Sequence, residues 1–128
     1  MAIVLLNLVV IRSTAIEQAA SFYRLLGLDF VKHCHGSGPE HFFCTLDSMV
    51  FEIYSRQSDA DSTAATRLGL CIDAIDTVIG ALYEVGVTIL SPPRDSSWGR
   101  HAVIADPDGH KIELCERTAN EHFHDQLG

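Results

Sequence analysis

The sequence predicts an α+β protein built from two tandem βαβββ units, and three observations carry that reading. Ala15-Ile16-Glu17 recurs as Ala74-Ile75-Asp76, and Gly27-Leu28 recurs as Gly86-Val87, both at an offset of 59 residues. Each unit also ends in the same pattern, a turn followed by alternating apolar residues around one carboxylate. In Ser48-Met49-Val50-Phe51-Glu52-Ile53-Tyr54 that carboxylate is Glu52, and in the stretch from Asp106 to Glu116 it is Glu113. Self-similarity at a fixed period marks a repeated structural unit. Each unit would expose a sheet face it cannot bury alone, so the two are expected to pack together or with a second chain.

Taken in order, residues 2–11 are apolar apart from Asn7, and residues 2–12 read as a buried strand. Ser13-Thr14 offers an N-cap, with Glu17 placed for a capping box. Ile16, Ala19, Ala20, Tyr23 and Leu26 then mark one face of a helix, and Gly27 ends it. Leu28 to His35 reads as a strand closed by the turn cluster Gly36-Ser37-Gly38-Pro39. His41–Leu46 and Met49–Ser55 alternate as two further strands about a turn at Asp47-Ser48. Residues 57–65 are small and polar and form a linker, so the first unit covers about residues 2–56. The second covers about 66–117, with a strand from Thr66 to Ile72 and a helix from Ile75 to Val85 that takes Asp73 as its cap. A strand follows at Val87–Leu90, then a long loop from Pro92-Pro93 through Trp98-Gly99, then strands at Arg100–Ala105 and Lys111–Glu116. Residues 118–128, with His122 and His124, read as a solvated tail.

Composition narrows the class. Nearly half the residues are hydrophobic and a fifth are charged, the balance of a globular protein. A net charge of −8 argues against nucleic acid and anionic membrane as partners. The apolar N-terminal run lacks a basic leader region and stops at Arg12, so a strand is expected there and not a signal peptide. No run is long enough for a membrane span. Cys34, Cys44, Cys71 and Cys115 are widely spaced, which predicts buried reduced thiols and a cytoplasmic setting.

The ordered set of motifs resembles the vicinal oxygen chelate superfamily, which includes glyoxalase I, extradiol dioxygenases and the fosfomycin- and bleomycin-resistance proteins. The motifs are the helix Ala19-Ala20-Ser21-Phe22-Tyr23-Arg24-Leu25-Leu26-Gly27-Leu28, the exit Gly86-Val87, the loop Trp98-Gly99-Arg100, and Asp106-Pro107-Asp108-Gly109-His110-Lys111-Ile112-Glu113-Leu114. The resemblance implies one cup-shaped mixed sheet formed by the two units, a cup site for a small molecule and a homodimer whose subunits complete or wall that cup. It also implies one divalent metal (Mn, Fe, Ni, Zn or Mg) at four positions. Two of these match Glu52 and Glu113. The third matches Arg67, and the fourth falls on Leu8, or on Asn7 with a one-residue bulge. Here the sequence departs from the pattern, because guanidinium offers no lone pair and leucine no donor.

Two functions are therefore expected. In the first, a glyoxalase-like lyase or isomerase, or a relative of the dioxygenases, uses Glu113 and Glu52 as catalytic carboxylates and as an incomplete metal set. Arg67, Trp98, Arg100 and Asn7 would contact substrate. In the second, a metal-free protein binds or sequesters a small molecule, as in the bleomycin-resistance branch. Arg67 is expected to project toward Glu52 or Glu113 and to replace the metal's charge. His33, His35 and His41 cluster in sequence, either as a Zn²⁺ site or as a polar hairpin. His101 and His110 are expected at the surface or in turns, and Cys44, Cys71 and Cys115 as inert core thiols.

Overall fold

The computed structural model describes residues 2–34 and 36–117, and the chain divides into two compact units, residues 1–64 and 65–128. In the first, β1 (Leu8–Ser13), α1 (Ile16–Leu25), β2 (Val31–His33), β3 (His41–Leu46) and β4 (Met49–Ser55) follow in order, with a 3-10 turn at Asp59–Asp61. The second repeats the plan with β5 (Arg67–Ile72), α2 (Ile75–Glu84), β6 (Thr88–Ser96), β7 (Gly99–Ala105) and β8 (Lys111–Glu116). The sheets have orders β1-β4-β3-β2 and β5-β8-β7-β6. Each contains one parallel pair, β1 with β4 and β5 with β8, and is otherwise antiparallel. These are tandem βαβββ units. His35 and the tail with His122 and His124 lie outside the described residues.

In each unit the helix covers one sheet face, and strand alternation sends every second side chain under it. The core of the first unit is aromatic. Tyr23 packs against Phe22, Phe30 and Phe51 with ring centroids 4.9, 5.8 and 5.3 Å away. The core of the second is aliphatic, made of Ile75, Ile79, Leu82, Ile104, Ile112 and Leu114. The opposite face of each sheet carries Glu52 in the first unit and Glu113 in the second.

Five elements differ from the sequence expectation, three strands and the starts of both helices. Residues 2–7 are not strand, and Ile3, Val4, Leu5 and Leu6 are exposed. β1 begins at Leu8 because its partner register on β4 begins at Val50. The strand expected from Leu28 to His35 is confined to Val31–His33. The expected loop from Pro92 is strand: β6 runs through both prolines to Ser96, with register shifts on either side of Ser91, and the turn shrinks to Ser97-Trp98. Neither helix has a side-chain cap at its N-cap residue, Ala15 or Ala74. Glu17 pairs with Lys32 instead of closing a capping box, and the Ile75 N–H donates to Glu116 Oε2 (2.8 Å) in the place expected for Asp73. Gly27 (φ +96°) and Gly86 (φ +87°) end the helices in the left-handed region, as expected.

Candidate functional site

Glu52 and Glu113 occupy the same place in the two units. Glu52 pairs in register with Val10 on β1 and Glu113 with Gly69 on β5, so Leu8 and Arg67 are the equivalent positions two residues earlier. Leu8, not Asn7, is therefore the counterpart of Arg67. Asn7 is exposed just before the strand, and its carbonyl accepts the Val50 N–H at 2.9 Å.

In the first unit, register assembles a wall around Glu52 on the open face. Arg12, Tyr54, His41 and His33 form one row across β1, β4, β3 and β2, and Val10, Glu52, Phe43 and Val31 form the next. The His41 ring stacks on Tyr54 (4.4 Å, 6° between planes) and meets His33 edge-on at 5.5 Å. Arg12 closes the row over the other side of Tyr54, 5.4 Å from its centroid. His41 is buried, and its Nε2 lies 3.4 Å from Glu52 Oε2. The Glu52 side chain is 20% exposed, a carboxylate recessed between an imidazole and apolar side chains.

In the second unit, Arg67 Nη2 donates to Glu113 Oε1 at 2.5 Å, with both side chains about half exposed. The expected projection of Arg67 toward a carboxylate is what the structure has, and the partner is Glu113. Arg100 goes elsewhere. It donates to both oxygens of Asp76 (2.7 and 2.8 Å) and to Asp95 (3.1 Å). The hydrogen bonds from Arg100 hold the Asp76 carboxyl below its usual range, and Arg100 is correspondingly raised. Trp98 stands at the hairpin tip, 84% exposed.

The donor set does not fit a divalent ion. Unit 1 supplies Glu52 with His41 beside it and a leucine at the other matched position, and the carboxylate of unit 2 is paired with a guanidinium, which cannot ligate a cation. Among the described residues no group of three or more His, Cys, Asp or Glu is arranged to hold a metal, which includes His33 and His41.

His110 lies in the turn before β8, as expected, but is not at the surface, whereas His101 stands within β7 and two of the cysteines lie outside the core. His110 is fully buried, with Nδ1 2.8 Å from Asp106 Oδ2, while Asp106 Oδ1 accepts the N–H groups of Asp108 and His110. Cys71 is exposed and Cys115 half-buried, so of these three cysteines only Cys44 is a core thiol, and burial raises its pKa. Tyr54, Phe43 and Arg12 were not anticipated as site residues. Their signal was parity: 12 matches 10 on one strand, 54 matches 52, and 43 matches 41.

A family model for the glyoxalase/bleomycin resistance protein/dioxygenase superfamily matches residues 5–114. No curated protein matches the sequence. Among solved structures, an antibiotic binding protein from a Streptomyces species is 26% identical, with 92% of this chain and 99% of that chain covered and a TM-score of 0.72. A glyoxalase/bleomycin resistance protein from a Streptomyces species is 24% identical over 86% of this chain and 98% of the other, with a TM-score of 0.66. A glyoxalase-related enzyme from Fulvimarina pelagi is 20% identical over 88% of each chain, with a TM-score of 0.68.

Proposed function

The chain belongs to the glyoxalase/bleomycin resistance protein/dioxygenase superfamily, and from that premise we propose that it is a metal-independent binding protein for a planar small molecule. The observation that carries this reading is the Arg67–Glu113 pair, which removes one of the two carboxylates from metal chemistry. The ligand lies on the open face of the first unit. Its flat surface meets the ring edges of the row of Tyr54, His41 and His33, and a donor or cationic group meets Glu52. Ring edges set against a planar face give the edge-to-face arrangement that aromatic groups favour, and a net charge of −8 favours a cationic ligand. The antibiotic binding protein among its structural relatives is in keeping with this class of ligand.

The test uses 9-aminoacridine, a planar aromatic cation, titrated into isotope-labelled protein treated with a chelator. Shift changes are expected to centre on Phe43, Glu52 and Tyr54. Glu52→Gln is expected to weaken binding by about tenfold, the scale of losing one hydrogen bond to a charged group. Glu113→Gln is expected to leave it within about twofold, less than ~0.5 kcal/mol. Binding that requires added Mn²⁺ or Zn²⁺, or equal losses in both variants, overturns the reading. The same reading has the protein act as a homodimer, which sedimentation at micromolar concentration checks.

A second reading rests on the contact of Glu52 with His41. A recessed carboxylate beside an imidazole is suited to moving a proton at a carbon next to a carbonyl. Deuterium exchange into hydroxyacetone that disappears in Glu52→Gln would favour an isomerase-like activity at the same face.

A further inference from the structure

On the open face of the second unit, Cys71 on β5 and Cys115 on β8 are register partners in a parallel pair. Register partners in parallel strands point to the same side, and alternation fixes which one. Leu70 and Ile72 lean toward the helix, as the buried Ile112 and Leu114 do, and the cysteines point away from it. Adjacent strands stand about 4.7–4.9 Å apart, inside the roughly 4.4–6.8 Å between Cα atoms that a disulfide spans. His101 on β7 is the register partner of Cys115 on its other side, so His101, Cys115 and Cys71 form one row across three strands. Next to Cys71 on the same face is Gly69, where a Cβ would meet nothing within 4 Å. Above the more exposed thiol the sheet therefore leaves room for an incoming group.

We propose that Cys71 and Cys115 form a dithiol site that exchanges with small-molecule disulfides and closes to an intramolecular disulfide. The thiolate of Cys71 attacks one sulfur of a disulfide RSSR. A mixed disulfide forms on Cys71 and RS⁻ leaves, taking up the proton released by the Cys71 thiol. His101 accepts the proton of Cys115, whose thiolate attacks the Cys71 sulfur and expels the second RS⁻, which takes that proton in turn. The two protein thiols are oxidised by two electrons and RSSR is reduced to two RSH. The exposures set the order of attack, since Cys71 is exposed and Cys115 half-buried with its sulfur 3.9 Å from the Trp98 carbonyl. Exchange requires an accessible attacking thiolate followed by an adjacent resolving thiol. The proposal uses residues of the second unit alone.

Cys34 supplies the internal control, being exposed in the other unit. The full-length protein is incubated with glutathione disulfide, quenched in acid, digested with trypsin and mapped by mass. The expected product links segment 68–94 to segment 112–117, while Cys34 retains glutathione. In Cys115→Ser the adduct is expected to accumulate on Cys71, and in Cys71→Ser the linked product disappears. His101→Gln is expected to slow closure by about tenfold or more while leaving the Cys34 reaction unchanged. Stable glutathione on Cys71 in the wild type, or an unmodified Cys71 while Cys34 reacts, overturns the proposal. An unchanged closure rate in His101→Gln overturns the role of that imidazole.

Discussion

The two units share strand order, helix length and a carboxylate at the same register position, yet they treat that carboxylate in opposite ways. Glu52 is recessed against a buried imidazole, whereas Glu113 is half exposed and tied to a guanidinium. The cause lies in the neighbouring row. Arg12, Tyr54, His41 and His33 cross the first sheet, while Cys71, Cys115, His101 and Arg94 hold the matching places in the second. Large flat groups in one copy shield the carboxylate. Small thiols in the other leave it to solvent and to the nearest cation. The backbone thus sets where a carboxylate stands, and four side chains one row away set what it can do.

The hairpin before each carboxylate offers the sharpest way to break the comparison. In the second unit it is held by buried Asp106, which serves two N–H groups and His110. Asp106→Ala strands these groups and is expected to cost about 3–5 kcal/mol, read from the urea midpoint. The first unit turns at Asp47-Ser48, with Asp47 at φ +51°. Asp47→Gly relieves that left-handed backbone and is expected to change stability by less than about 1 kcal/mol. Similar shifts in the two variants would mean the hairpins are held alike.

A smaller contrast lies at the helix starts. Ser13 Oγ accepts the Ala15 N–H at 3.0 Å, whereas the Ile75 N–H is served from a strand by Glu116. Ser13→Ala and Glu116→Ala are each expected to cost roughly 0.5–2 kcal/mol. Hydrogen exchange should quicken in the first turn of α1 in one variant and of α2 in the other. Loss of protection in both helices from either substitution would show that the units do not respond separately.

The smallest expected effect is in acid. Hydrogen bonds from Arg100 lower the Asp76 pKa, and backbone N–H groups of Gln57 and Ser58 lower that of Asp61. A depressed folded-state pKa stabilises above the unfolded carboxylate value, about 3.9, and that stabilisation is lost as pH falls through the folded value. Melting curves of wild type and Arg100→Gln should therefore separate above about pH 4 and converge below it. Added salt should narrow the gap for exposed Asp76. A gap that persists at low pH would contradict the assigned cause.

The strands at His41–Leu46, Met49–Ser55 and Lys111–Glu116 were legible to the residue, because alternation and adjoining turns coincide there. The apolar run before Leu8 misled, since hydrophobicity does not say where a strand's partner runs out. Pro92 and Pro93 misled in the other direction, because an edge strand tolerates prolines that a central one would not. The helix cap at Glu116 lies 41 residues from Ile75 and has no local signal. Glu52 and Glu113 could be located from the repeat, and Arg67 from the family resemblance. The stack of Tyr54, His41 and His33 could not, because it depends on three strand registers being right at once.

The two prolines of β6 carry a consequence of another kind. β6 ends its sheet, and an outermost strand ordinarily presents a line of vacant N–H groups to any passing extended chain. Pro92 and Pro93 are adjacent and successive N–H groups alternate between the two edges, so the pair removes one donor from the open edge, and the register shifts about Ser91 bend the remainder out of line. A growing fibril seeded on this border would meet a gap it could not bridge, so the second unit is protected from templated aggregation at the place where its sheet stops.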